Sequence, residues 1–80
     1  MHTVYVLQSE KDGNWYIGCT SNLEKRIVEH NKGRVRSTKT RTPFVVIYTE
    51  VYKDKYEAFR KERFYKTAKG KKELKRKIKV

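Results

Sequence analysis

Five residues stand out as able to do chemistry together. Tyr5 sits in Val4-Tyr5-Val6-Leu7 and Tyr16 in Trp15-Tyr16-Ile17-Gly18. The stretch from Asn22 to His30 follows at once and sets Arg26 four residues before His30, one helical turn apart on a shared stripe. Glu62 lies far downstream, in Glu57-Ala58-Phe59-Arg60-Lys61-Glu62. Phenol and imidazole groups orient or transfer protons. A guanidinium stays charged and grips phosphate oxygens with a two-pronged fork. A carboxylate can hold a hard cation such as Mg²⁺ or Mn²⁺, which keeps several waters and needs few protein ligands. A base, a cation and a metal ligand are the parts that phosphodiester hydrolysis requires.

Each residue also has a plainer role. Tyr5 and Tyr16 suit an amphipathic sheet, and a phenol with a pKa of about 10 is a base only where cations favour its anion, as Arg26 and a metal would. Arg26 could be one more solvated cation. His30 could sit at the negative end of a helix dipole. Glu62 could pair with Lys55, Arg63 or Lys66. Gly18 would admit a close approach by backbone or substrate, or relieve crowding opposite Tyr5.

The bulk properties choose the partner. Lys plus Arg is 21 against 9 for Asp plus Glu in 80 residues, a net charge of +12. That excess points to a polyanion. No window is apolar enough for a membrane span and no hydrophobic signal opens the chain, so nucleic acid is favoured over a membrane surface. Cys19 is the single cysteine, which excludes an internal disulfide, and no Cys/His cluster has zinc spacing. A reducing compartment, the cytoplasm, is expected. Apolar residues at 36% and aromatics at 12% suffice for one small core, so a single domain over 1–80 is expected, with its core at 3–70.

The elements that must position these residues follow from pattern. Residues 3–8 and 15–19 read as strands of a hairpin closed by Glu10-Lys11-Asp12-Gly13-Asn14. Pairing Ser9 with Asn14 puts Tyr5 opposite Gly18 and Tyr16 opposite Leu7, with both tyrosines on one sheet face. Ser21 is the expected cap of a helix reaching about Lys32, with Glu24 as its capping-box partner and Gly33 as its end. Leu23 and Ile27 face its core. Residues 34–42 read as a basic, hydroxyl-rich loop. Phe44-Val45-Val46-Ile47-Tyr48 reads as the central strand, buried on both faces. Asp54, with Glu57, caps a second helix expected to reach Lys69 and to be broken by Gly70. Residues 71–80 read as a short basic helix.

In that order, these pieces resemble the GIY-YIG nuclease domain over about residues 3–70. Val4-Tyr5-Val6 stands at the first triplet, where only the tyrosine matches. Tyr16-Ile17-Gly18 matches the second triplet literally. Asn22-Leu23, Arg26, His30-Asn31 and Gly33 match the helix that follows. Ser37-Thr38-Lys39 and Arg41-Thr42-Pro43 match the loop before the third strand. Glu57-Ala58, Glu62 and Lys66 match the helix bearing the family's metal-binding glutamate. The chain is similar to the small stand-alone bacterial members, described as excinuclease- or endonuclease-like. The resemblance implies an α+β fold, a three-stranded antiparallel sheet flanked by helices in the order β-β-α-β-α-α. It implies that Tyr5 and Tyr16 position or deprotonate the nucleophile, Arg26 stabilises the phosphate, His30 supports Tyr5 and Glu62 holds Mg²⁺ or Mn²⁺. It also implies an endonuclease acting on DNA, structured or branched forms included, in repair or processing, with a repair protein as an allowed partner. Arg34, Arg36, Lys39, Arg41, Lys66, Lys71, Lys72, Lys75 and Arg76 are the expected backbone contacts, giving salt-dependent binding with little sequence specificity. The rival readings are a binding module without turnover and a basic RNA- or ribosome-associated protein. The last would leave the five residues scattered.

Overall fold

A computed structural model describes residues 1–78 of the chain. The strands are β1 (His2–Ser9), β2 (Trp15–Thr20) and β3 (Phe44–Tyr52), and the helices are α1 (Leu23–Asn31), α2 (Lys55–Tyr65) and α3 (Ala68–Ile78), with a 3₁₀ turn at Lys39–Arg41. The sheet is antiparallel with strand order β2-β1-β3. This is the expected α+β architecture. The hairpin takes the expected register, with Tyr5 opposite Gly18 and Leu7 opposite Tyr16.

The centre of the sheet is β1, not β3. Val4, Tyr5, Val6 and Leu7 are each at most 1% exposed, because β1 alone has a neighbour on both edges and helices over both faces. β3 is an edge strand that runs on to Tyr52, and Val45, Val46 and Val51 stay exposed. An unbroken apolar run therefore did not signal burial on both sides. Side chains alternate across β1. Val4 and Val6 join Ile17, Ala58, Tyr65 and Leu74 beneath α2 and α3. Tyr5 and Leu7 join Phe44, Leu23, Ile27 and Tyr16 on the α1 side.

Helix boundaries bring three corrections. Asn22, not Ser21, caps α1, its side chain accepting from the Lys25 N–H at 3.2 Å. Thr20 Oγ1 takes the Asn22 N–H at 3.1 Å, a local turn that carries Ser21 past the capping position. Gly33 follows the helix end at φ +74°, as expected. Asp54 caps α2 as expected, accepting from the Tyr56 N–H at 2.9 Å. But α2 stops at Tyr65, and Gly70 lies buried in the first turn of α3. Thr67 makes the corner: its Oγ1 donates to the Phe64 carbonyl at 2.6 Å and accepts from the Gly70 N–H at 3.0 Å. A Cβ at position 70 would overlap that same carbonyl. Gly70 is there for close helix approach, not termination. The basic helix thus begins at Ala68; residues 79 and 80 of the expected segment lie outside the described residues.

Glu50 locks α3 to the sheet. Its side chain is 14% exposed and accepts hydrogen bonds from the hydroxyls of Tyr48, Tyr52 and Tyr65 and from Lys77 Nζ at 3.0 Å. Burial alone would raise its pKa, but these four donors outweigh burial and hold it at about 2. A depressed carboxyl pKa stabilises the fold fully above the unfolded value of about 4.5, and that contribution is lost as pH falls through the folded value. Glu50→Gln is expected to cost about 2–3 kcal/mol at neutral pH, since it leaves Lys77 and three hydroxyls without a charged acceptor. It should also flatten the loss of stability between about pH 4.5 and 2, read by urea denaturation across pH.

Candidate active site

Tyr5 reaches across the hairpin where Gly18 leaves room. A Cβ at position 18 would overlap the Tyr5 hydroxyl and Cζ, so the glycine opposite the tyrosine is a steric requirement of this packing. The hydroxyl meets His30 Nε2 at 3.2 Å, and His30 Nδ1 meets Thr38 Oγ1 at 2.8 Å. Thr38 Oγ1 in turn lies 3.4 Å from the Val35 carbonyl. A carbonyl only accepts, so Thr38 donates to it and receives the Nδ1–H. Nε2 is then the bare nitrogen, and Tyr5 donates to it. His30 and Thr38 are both 0% exposed. Burial, reinforced by Arg26, lowers the His30 pKa, and so holds the neutral imidazole that this chain of donors requires.

Burial raises the Tyr5 pKa to about 12, and the neighbouring Arg26 guanidinium, which pulls it down, does not offset this. The cation therefore does not make Tyr5 a phenolate at neutral pH. Tyr16 is half-buried beside it, with ring centroids 6.4 Å from Tyr5 and 4.9 Å from His30. Arg26 comes up from α1, with Glu29 at 3.5 Å. Its own pKa is raised, first by the Tyr5 hydroxyl. The guanidinium lines an open groove of about 490 Å³ with Thr20, Asn22 and Lys25. Tyr5, Tyr16, Arg26, His30 and Gly18 thus form one cluster.

Glu62 stands on α2, within electrostatic reach of Tyr5 and Cys19. Its side chain is 20% exposed, and its charge raises the pKa values of both Tyr5 and Cys19. Lys66 Nζ stands 3.2 Å from the carboxylate. Among the described residues no three His, Cys, Asp or Glu side chains converge as a metal cage. A lone carboxylate is a donor that a hard divalent ion keeping most of its waters can accept. The expected basic contacts separate. Arg41, Lys71 and Lys75 line a second groove, Lys66 is committed to Glu62, and Arg34, Arg36, Lys39, Lys72 and Arg76 are simply exposed.

Sequence reasoning missed Thr38, Glu50 and the structural part of Asn31. Asn31 accepts from the Phe44 N–H at 2.7 Å and donates to the Phe44 carbonyl at 3.2 Å, which ties the end of α1 to the start of β3. Asn31 is an exposed residue that ends α1, and nothing beside it in the sequence points to a bond with distant backbone. Nothing in a Ser-Thr-Lys loop distinguishes a buried hydroxyl from a solvated one.

Two outcomes test this geometry. Gly18→Ala should destabilise the protein by about 1–3 kcal/mol, as overpacking does, measured by urea unfolding. For His30, a folded pKa below the unfolded 6.5 means stability is full above about pH 6.5 and falls as pH drops below it. The melting temperature should therefore decline between pH 7 and 5 in the wild type, above the Glu50 window, and decline less in His30→Gln.

Comparison with known proteins bears on this arrangement. The family model described as the GIY-YIG catalytic domain matches residues 1–77. A UPF0213 protein of Staphylococcus haemolyticus is 43% identical over 75 residues, covering 92% of this chain and 90% of its own length. The UPF0213 protein YazA of Bacillus subtilis is 40% identical over 75 residues, with 91% and 75% covered. The solution NMR structure of the UPF0213 protein BH0048 from Bacillus halodurans superposes with a TM-score of 0.57 at 36% identity, over 91% of this chain and 80% of that one. With matches of this extent, the chain belongs to the GIY-YIG family of nuclease domains.

Proposed function

We propose that this protein is a divalent-metal-dependent endonuclease that hydrolyses DNA phosphodiester bonds with little sequence discrimination, in DNA repair or processing. The observation that carries the reading is the gathering of Tyr5, Tyr16, Arg26 and His30 into one cluster within the electrostatic reach of Glu62. The rival in which these residues lie scattered does not fit it.

Each side chain takes a role from its environment. Arg26, at the mouth of the groove, neutralises the charge that builds on the phosphate as the new bond forms. Tyr5 carries its proton at neutral pH and donates it to His30. Its oxygen lone pairs are left for the guanidinium, so Tyr5 and His30 hold Arg26 in place. Tyr16 is the half-buried hydroxyl that meets the attacking water. Glu62 would hold Mg²⁺ or Mn²⁺, and an ion bound there supplies Lewis acidity and a more acidic water. The +12 chain holds the polyanion by its backbone.

A non-catalytic binding module is the second reading, and the Glu62–Lys66 pair at 3.2 Å favours it, because the carboxylate already has a cation. Nicking of supercoiled plasmid in Mg²⁺ or Mn²⁺ at low salt separates the two. Glu62→Gln is expected to lose cleavage while retaining DNA binding, and Arg26→Ala to slow cleavage by about 10²–10³-fold. Plasmid bound equally by wild type and Glu62→Gln and cut by neither would overturn the nuclease.

A further inference from the structure

A second basic groove, of about 540 Å³, opens between the tip of the β1–β2 hairpin, the 3₁₀ turn and α3. Gln8, Asn14, Trp15, Arg41, Lys71 and Lys75 are among the residues that line it. Trp15 precedes Tyr16 on β2 and so projects from the opposite sheet face. One part of its indole packs on the core of Val4, Val6 and Ile17 while the residue also lines the groove. Among the described residues no aromatic ring stacks on it and no cation lies over it.

The charge around it is unbalanced. The ion pairs of the described residues join Arg26 to Glu29, Lys66 to Glu62 and Lys77 to Glu50. Arg41, Lys71 and Lys75 belong to none of them, and no carboxylate lines the groove. Arg41 is held in place by a hydrogen bond to the Ser37 carbonyl at 3.0 Å. Lys71 and Lys75 are one turn apart on α3 and face the same way. Three cations drawn from two segments thus share a groove with a half-buried indole.

We infer that this groove binds an unpaired stretch of single-stranded DNA, with a base stacked on Trp15 and the flanking phosphates on Arg41, Lys71 and Lys75. Stacking on an indole needs a free base face, which a duplex hides and a single strand offers. Gln8, whose Nε2 donates to the Gly13 carbonyl at 3.2 Å, and Asn14 also line the groove, and the Gln8 amide oxygen would accept from a base edge. The groove and the tyrosine cluster lie on opposite faces of one thin sheet. A DNA that occupies both offers an unpaired stretch to the groove and its scissile phosphate to the cluster, so the substrate class is DNA with an unpaired stretch. That last step rests on the nuclease reading; the groove itself does not.

Trp15 is the only tryptophan, so its emission reports the groove directly. The full chain would be titrated at low salt with a single-stranded oligonucleotide, a blunt duplex and an RNA of the same sequence. Tryptophan emission and anisotropy of the labelled strand would both be followed. Saturable quenching by single-stranded DNA, with the duplex binding but quenching little, is the expected result. Trp15→Leu should weaken single-strand binding about tenfold and spare duplex binding. Removing both Lys71 and Lys75 should lower the single-strand salt slope by about 1.4. Single-strand binding with unchanged emission, equal quenching by the duplex, or quenching by RNA alone would overturn the proposal. The wild-type emission decides the matter even where Trp15→Leu fails to fold, and Trp15→Phe should keep part of the affinity. Quenching without cleavage would sink the nuclease and leave the groove standing; cleavage without quenching would do the reverse.

Discussion

A single strand with no exposed face holds the molecule together. β1 separates two small cores, and its alternate residues belong to different ones: Val4 and Val6 to the side of α2 and α3, Tyr5 and Leu7 to the side of α1. A chain of 80 residues cannot build one thick core, since small domains bury a modest share of their surface. Sharing one wall between two thin cores lets three helices shelter it. The register of β1 then decides everything chemical. A slip of one residue would send Tyr5 into the wrong core and leave His30 with no hydroxyl above it.

Burial sets the character of the tyrosine cluster. Were Tyr5 in water, Arg26 would favour its anion; in the dry interior desolvation prevails. The result is a run of neutral donors and acceptors, from Tyr5 through His30 to Thr38, whose direction is fixed by the one group in it that only accepts. The opposite face handles charge differently. There Glu50 gathers three phenols and an ammonium, and ionisation is favoured because the donors outnumber what burial removes.

Much of this was legible in the residues. Period-two alternation and one turn of five residues placed both tyrosines on one face, and the four-residue step placed Arg26 beside His30. The Asp54 cap and the Gly33 helix end were equally local, as were the core positions of Leu23 and Ile27. What was not legible depends on distant neighbours. Phe44-Val45-Val46-Ile47-Tyr48 has the composition of a central strand, but centrality is a property of who pairs with it. Gly70 looks the same in sequence whether it ends a helix or lets another chain segment pass close. Thr38 and Glu50 are ordinary polar residues until the fold seals them from water. Asn22 and Ser21 are both good caps, and a hydroxyl two residues upstream settled between them.

The corner at Gly70 has a mechanical meaning. With the Phe64 carbonyl in contact where a side chain would otherwise stand, and with Thr67 bonded to both sides of the turn, α2 and α3 are joined as a bracket, not hinged. Glu62 rides on one arm and Lys71 and Lys75 on the other. The two arms therefore keep a fixed spacing, and any partner meets Glu62 and the two lysines as one preset frame.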